Sequence, residues 1–135
     1  MINEKLRVSF SLKRRRVLIH RTTLRALSNP TNIRFLMNTK DKKVAVQSCE
    51  AIDRDNFVVP DFNAVSQFEI TSVNFLQIIY KLAKWDEDKS YRIEGQAFAR
   101  NRLVEFDLTK AATIADEEFV DEEANEGDKK NIDFS

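Results

Sequence analysis

The sequence predicts an α+β fold: a mostly antiparallel curved sheet or barrel, built from two strand–helix–hairpin units with one short and one long helix, then a disordered acidic tail. Three observations predict it. Runs such as Leu6-Arg7-Val8-Ser9-Phe10-Ser11-Leu12 alternate apolar and polar side chains, the period of a half-buried strand. From Val73 to Trp85 the polar residues Asn74, Gln77, Lys81 and Lys84 recur at helical spacing and form one stripe. From Ala112 onward Asp and Glu dominate, and such a segment buries too little apolar surface to offset its ordering entropy. Residues 1–111 are therefore expected to form one domain, with units at about 6–48 and 68–108, and residues 112–135 the tail. A chain of 135 residues suffices for one core without disulfide or metal staples.

The elements follow in order. Residues 6–12 read as a strand and Lys13 to Arg16 as a charged break. Val17-Leu18-Ile19 make a short buried strand. Thr22 or Thr23 is placed to cap a short helix through Leu24 and Leu27. Ser28-Asn29-Pro30 ends it, because the residue before a proline avoids the helical region. Ile33 to Met37 and Lys43 to Gln47 are strands about the turn Asn38 to Lys42. Phe57-Val58-Val59 reads as a strand stopped by Pro60. Phe68-Glu69-Ile70 opens the second unit, and Ser72 caps the long helix, which is expected to bury most of its circumference. Asp86-Glu87-Asp88 breaks that helix. Tyr91 to Phe98 and Leu103 to Leu108 form a second hairpin about Ala99 to Arg102. Gly95 within it marks a bulge or a close backbone approach. Phe10, Phe35, Phe68, Phe75 and Phe106 fall on core-facing positions. Both units read strand, Thr- or Ser-capped helix, hairpin, and each hairpin opens hydrophobic-Arg-hydrophobic at Ile33-Arg34-Phe35 and Tyr91-Arg92-Ile93. This order indicates an internal structural repeat.

Composition narrows the function. His20 is the one histidine and Cys49 the one cysteine, so neither a disulfide nor the common zinc ligand sets are available. A Cys49–His20 nucleophile pair lacks anything that marks an oxyanion hole. With Gly95 and Gly127 as the two glycines, no phosphate-cradling loop exists. No catalytic residue, metal or cofactor is assigned, and no enzymatic activity is expected. Apolar runs such as Phe75 to Tyr80 are too short to cross a bilayer, and the N-terminus lacks a signal-type apolar region. The expected location is cytoplasmic.

Net charge is zero, yet residues 1–48 carry +10, residues 49–110 carry −3 and residues 111–135 carry −7. That asymmetry points to a polyanion-binding face and an acidic tail. Lys13, Arg14, Arg15, Arg16, Arg21, Arg25 and Arg34 are the candidate nucleic-acid contacts, since Lys and Arg neutralise phosphates and Arg reads guanine edges. They are expected to share one surface, joined by Lys40, Lys42 and Lys43. Phe98 and Tyr91 are candidates for stacking on bases if exposed. Phe119, Ile132 and Phe134 in the tail are candidate docking residues for a protein partner, and the acidic tail is a candidate competitor for the basic face.

The stretch Arg16-Val-Leu-Ile-His-Arg-Thr-Thr-Leu-Arg-Ala-Leu, with Asn29-Pro30, Ile33-Arg-Phe-Leu-Met and Lys43-Val-Ala-Val, resembles the swapped-hairpin DNA-binding domain of AbrB-like transition-state regulators. The resemblance covers residues 6–48 and is one of element order. Arg15-Arg16 stands where that family usually has a glycine, and Arg21-Thr22 where it has a proline. The resemblance implies an interleaved β-barrel, its second half supplied here by the second unit, and DNA contact through arginines near the first strand and helix. The tail is similar to the acidic, aromatic-ended tails of single-stranded DNA-binding proteins. The expected function is non-enzymatic nucleic-acid binding, with regulation as its role. Two alternatives stand beside it: an interaction module of phage or mobile-element origin that inhibits a host protein, and a small-ligand-binding barrel.

Overall fold

The computed structural model describes residues 5–60, 67–116 and 119. Its elements run β1 (Leu6–Ser11), β2 (Arg16–His20), α1 (Arg21–Ala26), β3 (Asn32–Asn38), β4 (Lys43–Ser48), β5 (Phe57–Val58), β6 (Gln67–Ile70), α2 (Val73–Ala83), β7 (Ser90–Phe98), β8 (Leu103–Asp107) and β9 (Ala112–Ile114). One antiparallel sheet holds eight strands in the order β5-β3-β4-β8-β7-β1-β2-β6, and β9 pairs with β7 beside this path.

The sheet curls around α2. Phe10 on β1 and Phe35 on β3 stand four strands apart, about 19 Å in a flat sheet. Both rings nevertheless pack on Phe75 of α2, with centroids 6.4 and 4.4 Å away. Leu76, Ile79 and Tyr80 bury the same face of the helix, and Trp85 at its end stacks on Tyr91 at 4.2 Å. The helix buries this face alone, not most of its circumference. Ile78 joins the polar stripe at 52% exposure, uncovered by any of the described elements. Phe10, Phe68 and Phe106 are buried, while Phe35 and Phe75 are half-buried against the core. The close approach expected at Gly95 is present: a Cβ there would lie 2.5 Å from Phe106 Cε1 and 2.9 Å from the Glu105 carbonyl.

Tyr80 ties α2 to the sheet. Its hydroxyl donates to the Lys89 carbonyl at 2.6 Å and lies 3.2 Å from the Phe10 carbonyl. Burial pushes its pKa up to about 12, whereas an unfolded tyrosine ionises near 10. The unfolded state therefore loses its proton first as pH rises. The contribution is intact below pH 10 and is lost between pH 10 and about 12. Urea midpoints should fall across this window more steeply for the wild type than for Tyr80→Phe, which removes the titration. Equal slopes would contradict the assignment.

The two units are related by a pseudo-twofold written into the strand registers. With Val17 matched to Phe68 and Ile19 to Ile70, the observed pairs Val17↔Ile70 and Ile19↔Phe68 exchange into each other. With Val44 matched to Val104 and Val46 to Phe106, the pairs Val44↔Phe106 and Val46↔Val104 do the same. Ser48 N donates to Arg102 O, and its counterpart Leu108 N donates to Lys42 O, both at 2.9 Å. Lys42 and Arg102 share a left-handed φ of 54°. β5 pairs β3 as β1 pairs β7, so each unit is two strands, a helix and a hairpin. The hairpin registers match Phe35 to Gly95. Arg34 therefore corresponds to Glu94, and the matching Arg34 and Arg92 motifs are not equivalent positions. β1 pairs β2, but β5 and β6 are the two ends of the strand order, and the curl stays open there.

Three local expectations are corrected. His20, not Thr22 or Thr23, caps α1: its Nδ1 accepts from Thr22 N. The threonines serve the edge of β1 instead, Thr22 Oγ1 donating to Lys5 O at 2.6 Å and Thr23 Oγ1 to Arg7 O at 3.0 Å. β1 is buried on both faces, with Ser9 and Ser11 as inaccessible as Val8 and Phe10. Ordered structure also runs past Ala112. Ala112–Ile114 form β9 against β7, and Phe119 is 1% exposed. The rest of the acidic segment, with Ile132 and Phe134, lies outside the described residues.

Candidate nucleic-acid interface

The topology splits the candidate basic residues between two ends of the sheet. The β1–β2 turn holds Lys13, Arg14, Arg15 and Arg16 at one end. Arg21 follows β2 at the other, about 16 Å further along at 3.3 Å per residue. β7 and β2 run in the same direction, since both pair antiparallel with β1. Phe98, at the end of β7, is therefore on the side of α1, and Ser90, at its start, is beside the basic turn. The expectation that these cations share one surface is corrected.

At the turn end two of the four turn cations are paired with carboxylates of the chain itself. Lys13 Nζ pairs with Asp116 at 2.8 Å, and Lys13, then Arg14, hold the Asp116 carboxyl below the usual range. The Arg14 guanidinium lies 5.9 Å over the ring of the buried Phe119. Arg16 Nε meets Glu69 at 2.8 Å. Arg15 stands exposed at the tip with φ 60°. Lys43 also falls at this end, opposite Asp107, and pairs with Glu105 at 3.3 Å. Surface pairs of this kind add little to stability, but they reduce the local field that would draw a polyanion. Phe119, buried beneath Arg14, is not available to dock a partner.

The helix end holds the remaining candidates. Arg21 and Arg25 lie one turn apart on α1, on one face of the helix. Arg34 Nε donates to Gln47 Oε1 at 2.9 Å, and Gln47 Nε2 donates to the Asn101 carbonyl at 3.0 Å. That chain fixes the β7–β8 tip, which carries exposed Arg100 and Arg102. Between the tip and the end of α1 runs an open groove of about 380 Å³, lined by Ser28, Pro30, Ser48, Phe98, Arg102 and neighbours, with no carboxylate in the lining. Glu94, at the same end, is paired with Lys5 at 3.2 Å, and Glu50 and Asp53 sit beside Cys49.

Of the two candidate stacking residues, Tyr91 is buried and Phe98 is 38% exposed at the groove. Arg100 and Arg102 were missed by the sequence reading. The signal that finds them is the repeat itself: they correspond to Lys40 and Lys42 in the first hairpin, where a basic residue likewise takes the left-handed turn position. Burial, then the Asp53 carboxylate, pushes the Cys49 thiol up, the opposite of what a nucleophile needs. His20 is committed to capping α1. Among the described residues no group of three or more His, Cys, Asp or Glu is placed to hold a metal ion. No helix among them is long and apolar enough to cross a membrane.

No family model, curated protein or solved structure matches the chain.

Proposed function

We propose that the protein binds nucleic acid without catalysis, through the helix end of the sheet. The observation that carries this reading is a groove with no carboxylate in its lining, walled by the end of α1 and by Arg102 of the β7–β8 tip, which also carries exposed Arg100. Phosphates are the natural partners of such a set, because guanidinium groups neutralise them and release counterions. The resemblance to AbrB-like domains implies contact near the first helix, where Arg21 and Arg25 lie. The basic turn is the weaker site, since Asp116 pairs with Lys13 and Glu69 with Arg16.

Fluorescence anisotropy with a labelled oligonucleotide at several salt concentrations tests the proposal. With Arg21, Arg25, Arg100 and Arg102 each on one phosphate, log K should fall with log salt at a slope of about −3 to −4. A flat response would remove the proposal. Capture of a host protein that survives nuclease treatment would favour the interaction-module alternative.

A further inference from the structure

We infer that the helix-end groove takes an unpaired nucleotide of a single strand, its base stacked on Phe98, and not a duplex. This rests on the nucleic-acid reading of that end. The pseudo-twofold supplies the first argument. Phe98 corresponds to Asn38, since the two hairpins close with Asn38↔Lys43 and Phe98↔Leu103. In the first hairpin the polar Asn38 serves the turn, its Oδ1 accepting from Asp41 N at 3.0 Å. The same turn geometry thus forms without an aromatic residue. Phe98 is absent from the core, and 38% of its surface stays in solvent. A large apolar ring held outside the core at a turn that does not need it is explained by a ligand.

The second argument is chemical. Phenylalanine has a stacking face and no hydrogen-bonding group, so it meets a base by stacking, and in a duplex groove it offers only apolar contact with a thymine methyl. The ring lies in a recess walled by the end of α1 and by the β7–β8 tip. A paired, stacked base does not reach such a recess without leaving its helix. Arg102 in the lining, with Arg100 beside it on the tip, meets the flanking phosphates, while Ser28 and Ser48 offer hydroxyls along the same wall. The volume of about 380 Å³ falls at the lower end of the range of small-ligand sites.

The test compares an oligo-dT of about twelve nucleotides, a duplex of equal length and thymidine monophosphate, at one salt concentration, for the wild type, Phe98→Ala and Phe98→Leu. The wild type is expected to bind oligo-dT at least about tenfold tighter than duplex. Both variants should lose about ten- to a hundredfold for oligo-dT, with duplex binding within about twofold and the fold retained at the assay temperature. The nucleotide should displace oligo-dT only in large excess, since it makes just one of the strand's contacts. The inference is overturned if either variant binds oligo-dT like the wild type, if duplex binds as tightly, or if the free nucleotide competes as well as oligo-dT at equal concentration. Arg100→Glu with Arg102→Glu separates the two claims. Loss of binding there with Phe98→Ala silent removes stacking alone, whereas no effect of either removes the whole interface.

Discussion

Replacing Arg100 and Arg102 together with glutamate is expected to weaken oligonucleotide binding about a hundredfold. Each neutralised phosphate adds close to one power of salt concentration to the binding constant, or roughly tenfold at 0.1 M salt. Two lost contacts should therefore also flatten the salt slope by about two. Both side chains are exposed on the β7–β8 tip, so the melting temperature should hold. The matched control is Lys13→Glu with Arg15→Glu in the β1–β2 turn, which changes charge by the same amount. Lys13 is already paired with Asp116, and the turn lies at the far end of the sheet. Its expected effect is below about threefold after allowance for the general loss of positive charge. Equal losses from the two pairs would mean that net charge alone governs binding and that the groove has no special part.

Gly95→Val is expected to be the most damaging single change to the fold. An added Cβ meets Phe106 Cε1 at 2.5 Å and the Glu105 carbonyl at 2.9 Å. The ring is fully buried and the carbonyl is backbone, so neither yields cheaply. Overpacking of this kind costs about 1–3 kcal/mol for a first methyl group and more for a branched side chain. A domain of this size should lose about 10–20 °C of melting temperature. Gly95→Ala should show a smaller loss, which Phe106→Leu in the same chain partly relieves because it shortens the obstructing ring. Such coupling is the signature of a shared contact. Gly95→Ala as stable as the wild type would refute the close approach.

The architecture was legible because it is carried by local periodicity. Alternation at Leu6 to Leu12 and the stripe Asn74, Gln77, Lys81 and Lys84 each report one element. Repetition of the element order exposed the two units. What escaped was set by tertiary packing. The alternation of β1 implied a solvent face at Ser9 and Ser11, but the sheet's outer face is covered there, and Ser11 Oγ instead accepts from Ser90 Oγ at 2.9 Å. β5 has two residues, too few to reveal by pattern that it matches β1. The acidic composition after Ala112 hid β9, whose ladder to Ser90–Arg92 is a non-local pairing.

The site was legible in residue type and not in place. Positive charge clustered in sequence led to Lys13 to Arg16, yet a hairpin turn and the helix that follows its second strand fall at opposite ends of that strand. Arg102 on the β7–β8 tip and the end of α1 wall one groove beside Phe98, and sequence spacing carries no information on that juxtaposition. Arg34 reaches the tip only through Gln47, a neutral residue that a search for charges passes over.

Amide chemical-shift mapping with an oligonucleotide tests the central claim most directly, because it reports location and strength together. The largest shifts are expected at Arg25 to Asn29, Ser48 and Phe98 to Leu103, with little change from Leu12 to Arg16. Shifts concentrated at the β1–β2 turn, with Phe98 and Arg102 unmoved, would contradict it.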